Sequence, residues 1–178
     1  MSYFNEMVKA MNYLSKKKDT IFIGQATKYP GTIMSKTLVN IDKKKIIEFP
    51  VAEEMQMGAS LGLSLQGKFP ISIYPRLNFL LLAINQLVNH IDKFKIMTDG
   101  YYKNNFIIRT SIGSERPLHP HVQHIGDMSK SIKLLCPNIN VIVLKEPNQI
   151  FDAFKNAYKN IENKGTILIE YGDYFNEK

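Results

Sequence analysis

The chain has 178 residues, 44% of them hydrophobic, and a formal charge of +7 carried almost wholly by lysine, with arginine only at positions 76, 109 and 116. That length suits one domain with a three-layer core and is short for two. No apolar run reaches the roughly 18 residues of a membrane span, no basic-then-apolar leader opens the chain, and the lone Cys136 excludes an internal disulfide and fits a reducing compartment, so the chain is expected to be cytoplasmic, without a membrane partner.

Along the chain, Phe4, Met7, Val8, Met11 and Leu14 recur at helical spacing, and Thr20-Ile21-Phe22-Ile23 is a short buried strand ending in Gly24. Residues 25–45 form a loop-rich crossover. Ile46-Ile47 leads into a helix over about 53–66, with Pro50 discouraging helix before it and Gly67 closing it. Pro70 to Tyr74 is a strand, and Leu77, Leu80, Leu81, Ile84, Leu87, Val88 and Ile91 line one side of a long helix. Then come a strand over Phe106 to Arg109, a Gly-, Pro- and His-rich loop over 111–127, a helix near 128–135, a strand over Val141 to Leu144, a helix over about 148–161 and a strand over Thr166 to Ile169. Short apolar strands alternating with helices predict an α/β fold: a three-layer, doubly wound, mostly parallel sheet with helices on both faces. The whole of 1–178 reads as one such domain.

The lysines are scattered, apart from Lys16-Lys17-Lys18 and Lys43-Lys44-Lys45, each beside a predicted turn. No element interleaves basic with aromatic residues, so a solvated surface is the better reading and nucleic acid is not an expected partner. The most informative stretch is Phe49 to Ser60. It sets Glu53-Glu54 at the mouth of a helix whose following turns carry Gly58, Ala59, Ser60 and Gly62, too small and apolar for a surface helix. A carboxylate carried indoors that way needs a partner, and a ligand can be that partner. In doubly wound sheets, ligands gather at the carboxyl ends of the strands. That edge here comprises Gly24 to Thr27, the loop before Glu53, Pro75 to Phe79, and the loop from Ser111 to Asp127.

Pro50-Val51-Ala52-Glu53, with Gly58, Gly62, Gly67 and Pro70 spaced after it, resembles the pyrimidine-binding domain of thiamine-diphosphate enzymes, especially the beta subunit of 2-oxoacid dehydrogenases and the middle domain of transketolase. Ala83-Ile84-Asn85-Gln86-Leu87-Val88-Asn89 resembles that family's Ala-Ile-Asp-Gln-Val-Ile-Asn helix. Gln123-His124-Ile125-Gly126 resembles its histidine segment, at the family's distance from Pro137. Each motif is weak alone, but the ordered set spans nearly the whole chain.

The resemblance implies thiamine diphosphate as cofactor. Glu53 would meet the ring nitrogen of its aminopyrimidine, where a carboxyl sharing that proton promotes the tautomer that activates the cofactor. Glu54 is the rival, disfavoured by the glycine spacing. Phe79 falls where the family stacks an aromatic on the pyrimidine ring. Gln25 would be a further cofactor contact, standing where the beta subunits often carry an acid, and Asn85 replaces the usual Asp. His124 would face the reacting centre, donating to a developing alkoxide or moving a proton. His119 and His121 are expected beside it as substrate-binding residues, His119 because Ser111-Ile112-Gly113 and Pro117-Leu118-His119 also resemble transketolase's loop. His90 is expected to be structural. Three histidines from one Pro-interrupted loop, with no assigned fourth ligand, are not a sound zinc signature, and no metal site is expected on this chain.

The family holds the diphosphate through a metal ion on another domain, marked by Gly-Asp-Gly and a later Asn. Gly126-Asp127-Met128 and Gly172-Asp173-Tyr174 do not qualify. Neither that diphosphate domain nor transketolase's carboxyl-terminal domain is expected here. The resemblance therefore implies a partner, an alpha-like subunit carrying the Gly-Asp-Gly and Asn motif and Mg2+. The pair would form an alpha2beta2 heterotetramer acting on a small keto acid or ketose, with the helix bearing Gly58, Ala59 and Gly62 at the interface. The alternative is a non-catalytic homologue serving as a binding or assembly module. A flavodoxin-like nucleotide site lacks its glycine-rich loop after the first strand.

Overall fold

The apolar strand segments pair into one six-stranded sheet in a computed structural model that describes residues 2–29, 31–116 and 119–177. Its strands are β1 (Thr20–Gly24), β2 (Ile46–Glu48), β3 (Phe69–Tyr74), β4 (Ile107–Ile112), β5 (Asn140–Val143) and β6 (Thr166–Tyr171), in the order β2-β1-β3-β4-β6-β5. Every adjacent pair runs parallel. The helices are α1 (Tyr3–Ser15), α2 (Ile33–Lys36), α3 (Glu53–Leu65), α4 (Phe94–Met97), α5 (Ser129–Leu135), α6 (Pro147–Lys159) and α7 (Tyr174–Glu177). The strand order reverses at β1 and β3, and the crevice at that switch point opens beside the carboxyl ends of both.

Alternate residues of the central strands feed two separate cores, as period-2 side chains must. Phe22, Ile71, Ile107 and Leu168 pack with α1, α6 and α7, through Met7, Met11, Leu14, Ile150, Phe154 and Phe175. Tyr74, Ile108, Ile167 and Ile169 pack on the other face with Met57 of α3, with Leu77, Leu80, Ala83 and Leu87, and with Ile132 of α5. The predicted three-layer parallel architecture is the one found. Cys136 belongs to this second core, fully buried.

Local chemistry explains the boundaries. Ser2 caps α1 by accepting the Asn5 amide at 3.2 Å. Pro147 opens α6 at its first turn, and Asn160, left-handed at φ 44°, ends it two residues before the predicted boundary. Helix α3 is pinned to the sheet by buried polar contacts: the Gln56 amide donates to the Ile73 carbonyl at 3.0 Å and the Ser72 hydroxyl at 3.1 Å, and the Ser60 hydroxyl bonds Ser72 at 2.9 Å. At Gly24 only glycine fits, because a Cβ there would lie 2.5 Å from the Ile73 carbonyl oxygen.

Two expectations change. The long helix over 77–91 is instead a 3-10 turn segment (Leu77–Ala83) followed by a π-helical segment (Gln86–Ile91). The three-residue pitch buries Leu77, Leu80 and Ala83 at i, i+3 and i+6, and leaves Leu81 and Leu82 49% and 62% exposed, so Leu81 is not a core residue. Strand β4 continues past Arg109 to Ile112 and β6 past Ile169 to Tyr171. The charges that looked like strand ends neutralise each other indoors: the Arg109 guanidinium pairs bidentately with Glu170, both fully buried, while its Nη1 donates to the Thr37 hydroxyl at 2.8 Å.

Candidate active site at the carboxyl edge of the sheet

The Phe49 amide donates to the Gly24 carbonyl at 2.9 Å and the Ala52 amide to the Pro50 carbonyl at 2.8 Å, so the β2–α3 junction is a tight bend tied to the end of β1. The bend delivers Glu53 to the first turn of α3, where free backbone N–H groups favour an acid. Glu53 is 9% exposed, and among the described residues no group hydrogen-bonds or ion-pairs with its carboxylate. Its charge is felt by Tyr74, whose phenol is pushed up first by burial and further by Glu53, and whose hydroxyl donates to the Glu53 backbone carbonyl at 3.4 Å. Glu54 differs: it is exposed and accepts from the Asn85 amide at 3.2 Å, while Asn85 in turn accepts from Asn89 at 2.9 Å. Asn85, the departure from the family's Asp, thus supplies a donor where an acid would face Glu54.

A cavity of about 770 Å³ opens beside Glu53, walled by Gly58 and Ala59 of α3 and by Leu82 and Gln86. A Cβ at Gly58 would come within 3.9 Å of the Gln86 Oε1, whereas Gly62 faces open space. The wall facing Glu53 is Leu82; Phe79, one three-residue turn before it on the same side of the segment, does not line this cavity. Phe79 is half-buried and meets His124 edge to face, with ring centroids 5.8 Å apart at 77°. His124 Nδ1 lies 3.1 Å from the Asn78 amide nitrogen and its Nε2 lies 3.3 Å from that of Gln123. One irregular segment therefore holds His124 at one end and closes the Glu53 cavity at the other.

His119 and His121 are not held by that segment. Both are exposed and pack on each other, centroids 5.9 Å apart. The His121 amide donates to His119 Nδ1 at 3.1 Å, and His119 Nε2 lies 3.6 Å from a Glu115 carboxylate oxygen. Pro117 and Leu118 lie outside the described residues. No group of three or more His, Cys, Asp or Glu among the described residues is placed to hold a metal ion.

Gln25 is half-buried at the end of β1. The carboxylate that organises its loop is Glu48, which accepts the amides of Ala26, Thr27 and Lys28 at 2.6, 2.9 and 2.7 Å. A second cleft, of about 990 Å³, lies over the ends of β3, β4 and β6 and is lined by Thr32, Lys36, Arg76, Ser111, Ser114 and Arg116 among others. Arg76 donates to the Gly113 carbonyl at 3.1 Å. Its guanidinium is shifted down by burial, opposed by the charge of Asp173. Sequence reasoning missed Glu48; it put two of the cleft's segments, Pro75 to Phe79 and Ser111 to Asp127, on the ligand edge but did not single out Arg76, the cation directly after Pro75.

With a partnerless carboxylate at a helix mouth on the switch-point edge, the sequence match becomes interpretable: residues 2–171 match the transketolase pyrimidine-binding domain. The chain belongs to that family. Among relatives of this pyrimidine-binding domain, the pyruvate dehydrogenase E1 component subunit beta of Gracilaria tenuistipitata var. liui is 26% identical, over 75% of this chain and 40% of that protein. The Chlorokybus atmophyticus subunit of the same name is 24% identical, over 98% and 52%. The 2-oxoisovalerate dehydrogenase subunit beta of Bacillus subtilis (strain 168) is 20% identical, over 86% and 46%. The chain thus spans about half the length, or less, of these relatives. A solved split-gene transketolase, described as an inactive beta4 tetramer, shares the fold with a TM-score of 0.68 at 19% identity, covering 97% of this chain and 51% of that one. No helix among the described residues is long and apolar enough to cross a membrane.

Proposed function

We propose that this chain is the pyrimidine-domain subunit of a split thiamine-diphosphate enzyme that makes or breaks a carbon–carbon bond next to a carbonyl. The observation that carries the reading is Glu53: a residue 9% exposed whose carboxylate has no partner among the described residues, at a helix N-terminus, open to a cavity. Its oxygens face the cavity and not a protein group, so the acid is placed to meet a ligand there. The residues fit the aminopyrimidine: a carboxyl for a ring nitrogen, the apolar Leu82 and Ala59 for a flat heterocycle, and Phe79 one turn away.

When bound, thiamine diphosphate supplies a carbon acid that becomes the nucleophile toward a substrate carbonyl. Glu53 would hold or give the proton at the pyrimidine nitrogen, fixing the tautomer. Gly58 and Ala59, lacking bulk, leave room for the ring, and Leu82 excludes water from it. Phe79 braces His124 from one edge, and His124 presents an N–H to oxygen at the reacting centre. The cation-lined cleft at Lys36, Arg76 and Arg116 suits the anionic group of a keto acid or a ketose ester, and His119 and His121, exposed further along the same loop, would be further substrate contacts.

Around Glu53, Val51, Met55 and Leu82 are 70%, 67% and 62% exposed, an apolar rim that a second subunit would cover. The partner we propose carries the Gly-Asp-Gly and Asn motif and Mg2+, in an alpha2beta2 assembly in the cytoplasm. The inactive beta4 state described for the split transketolase supports a chain that lacks turnover alone. The test is Glu53→Gln in the complex reconstituted with the co-purifying partner: folding and assembly should persist while turnover falls at least about 100-fold, the scale of a lost acid–base group. Undiminished turnover would sink the proposal.

A further inference from the structure

The two contacts at His124 are chemically incompatible as they stand. Amide nitrogens face both ring nitrogens, from Asn78 at 3.1 Å and from Gln123 at 3.3 Å, yet a neutral imidazole has one N–H and one lone pair, and an imidazolium has none to offer. One of the two amides must turn its oxygen toward the ring. Gln123 is exposed and turns freely, with water to replace whatever it loses. Asn78 is confined: its Oδ1 is buried and has no hydrogen-bond partner among the described residues. With Nδ2 toward the ring, Asn78 strands its carbonyl oxygen. The reverse orientation strands two N–H groups, and buried N–H groups without acceptors are the rarer defect among backbone groups.

We propose that Asn78 is a positioning residue that donates to His124 Nδ1 and so fixes the neutral tautomer with its proton on Nε2. The inference rests on the reading of His124 as a group at the reacting centre. A protonated ring would press an Nδ1–H against the Asn78 N–H. His124 therefore works as a neutral hydrogen-bond donor to a developing oxyanion, not as a base that cycles through imidazolium. This arrangement is the opposite of a carboxylate–histidine pair, where an acceptor at Nδ1 stabilises the charged ring. The Nε2–H lies on the exposed side, where Gln123 is its hydrogen-bonding neighbour among the described residues, with its oxygen turned toward the ring. A substrate oxygen would displace that side chain.

The experiment is a nitrogen-15 spectrum of the chain labelled at its histidines, with the His124 signals assigned by their loss in His124→Gln. The expected result near neutral pH is a protonated Nε2 coupled to the ring protons and an unprotonated Nδ1. In Asn78→Asp, whose carboxylate only accepts at neutral pH, the proton should appear on Nδ1. A wild-type ring protonated on Nδ1, or at both nitrogens, overturns the inference without Asn78→Asp having to fold. So does an Asn78→Asp spectrum that keeps Nε2–H alone. Because the chain is read without cofactor or partner, failure here is separate from failure of Glu53→Gln. In the assembled enzyme, Asn78→Asp should lower kcat about tenfold or more with KM little changed, and a change confined to KM would speak against the tautomer role.

Discussion

Glu170→Gln tests whether the charge pair joining β4 and β6 is sealed from water. Arg109 and Glu170 are both fully buried and sit on adjacent central strands, joined through Nε and Nη2 of the guanidinium, with the Nη2 contact at 3.0 Å. Burial pushes the Glu170 carboxyl up while the Arg109 guanidinium pulls it back down. Glutamine keeps the shape but removes the counter-charge and one acceptor oxygen, leaving a buried guanidinium with neutral acceptors alone, the glutamine oxygen and the Thr37 hydroxyl at 2.8 Å. Orphaning one member of a buried pair costs about 3–5 kcal/mol. At about 2–4 °C per kcal/mol for a chain of this size, Tm should fall by about 6–20 °C. Urea unfolding followed by far-ultraviolet circular dichroism reads the loss directly. The double variant Arg109→Met with Glu170→Met should recover most of it, since apolar replacements of whole buried pairs are often neutral or stabilising. A loss below about 1 kcal/mol for Glu170→Gln would refute the reasoning, because it would place the pair in the range of solvent-exposed bridges.

Gly24→Ala forces a Cβ against the Ile73 carbonyl, 2.5 Å away on the next strand, and should cost about 1–3 kcal/mol in the same assay; an unchanged midpoint would mean that β1 and β3 are free to separate. The Cys136 thiol is pushed up to about 12 by burial and then by the Asp92 carboxylate, from an ordinary value of 9.0. The fold thus favours the neutral thiol: that contribution is intact below pH 9 and is lost as pH rises toward 12. Alkylation at pH 8.5 should accordingly be at least about 100-fold slower in the native chain than in urea, and comparable rates would contradict the burial. Leu82→Asp, at an exposed apolar site, should leave the chain's own stability within about 0.5 kcal/mol while weakening assembly with the partner about 30-fold or more on a sedimentation assay; unaltered assembly would remove Leu82 from the interface.

The strand pattern was legible because β1, β3, β4 and β6 are buried on both faces, and continuous apolar runs of that length have few other solutions. The Glu53 bend was legible for a related reason: Pro50 and the small residues after it leave one place for the acid. What misled the reading was chemistry whose partner is remote in sequence. Arg109 looks like a strand end until Glu170, on another strand, cancels its charge. Leu81 fits a 3.6-residue stripe and is turned outward only because the backbone winds at three residues per turn, which no side-chain pattern announces over seven residues. Asn78 and Arg76 are ordinary loop residues by composition. Their surroundings come from loops after β4 that no local window contains.

The two outermost strands are the shortest in the sheet, β2 with three residues and β5 with four. A seventh strand approaching β2 would find barely one repeat of free amides and carbonyls, flanked by Lys43-Lys44-Lys45, where Lys45 is tied to the Lys17 carbonyl. Short borders and adjoining ammonium groups are what keep open sheets from zippering together. The lysine triplet that carries no ligand chemistry in the sequence thus gains a role as a fence against fibrillar stacking. In the proposed assembly, contacts between subunits fall to the helical flank beside Glu53, so a copy without its companion would be at risk through greasy side chains and not through its backbone.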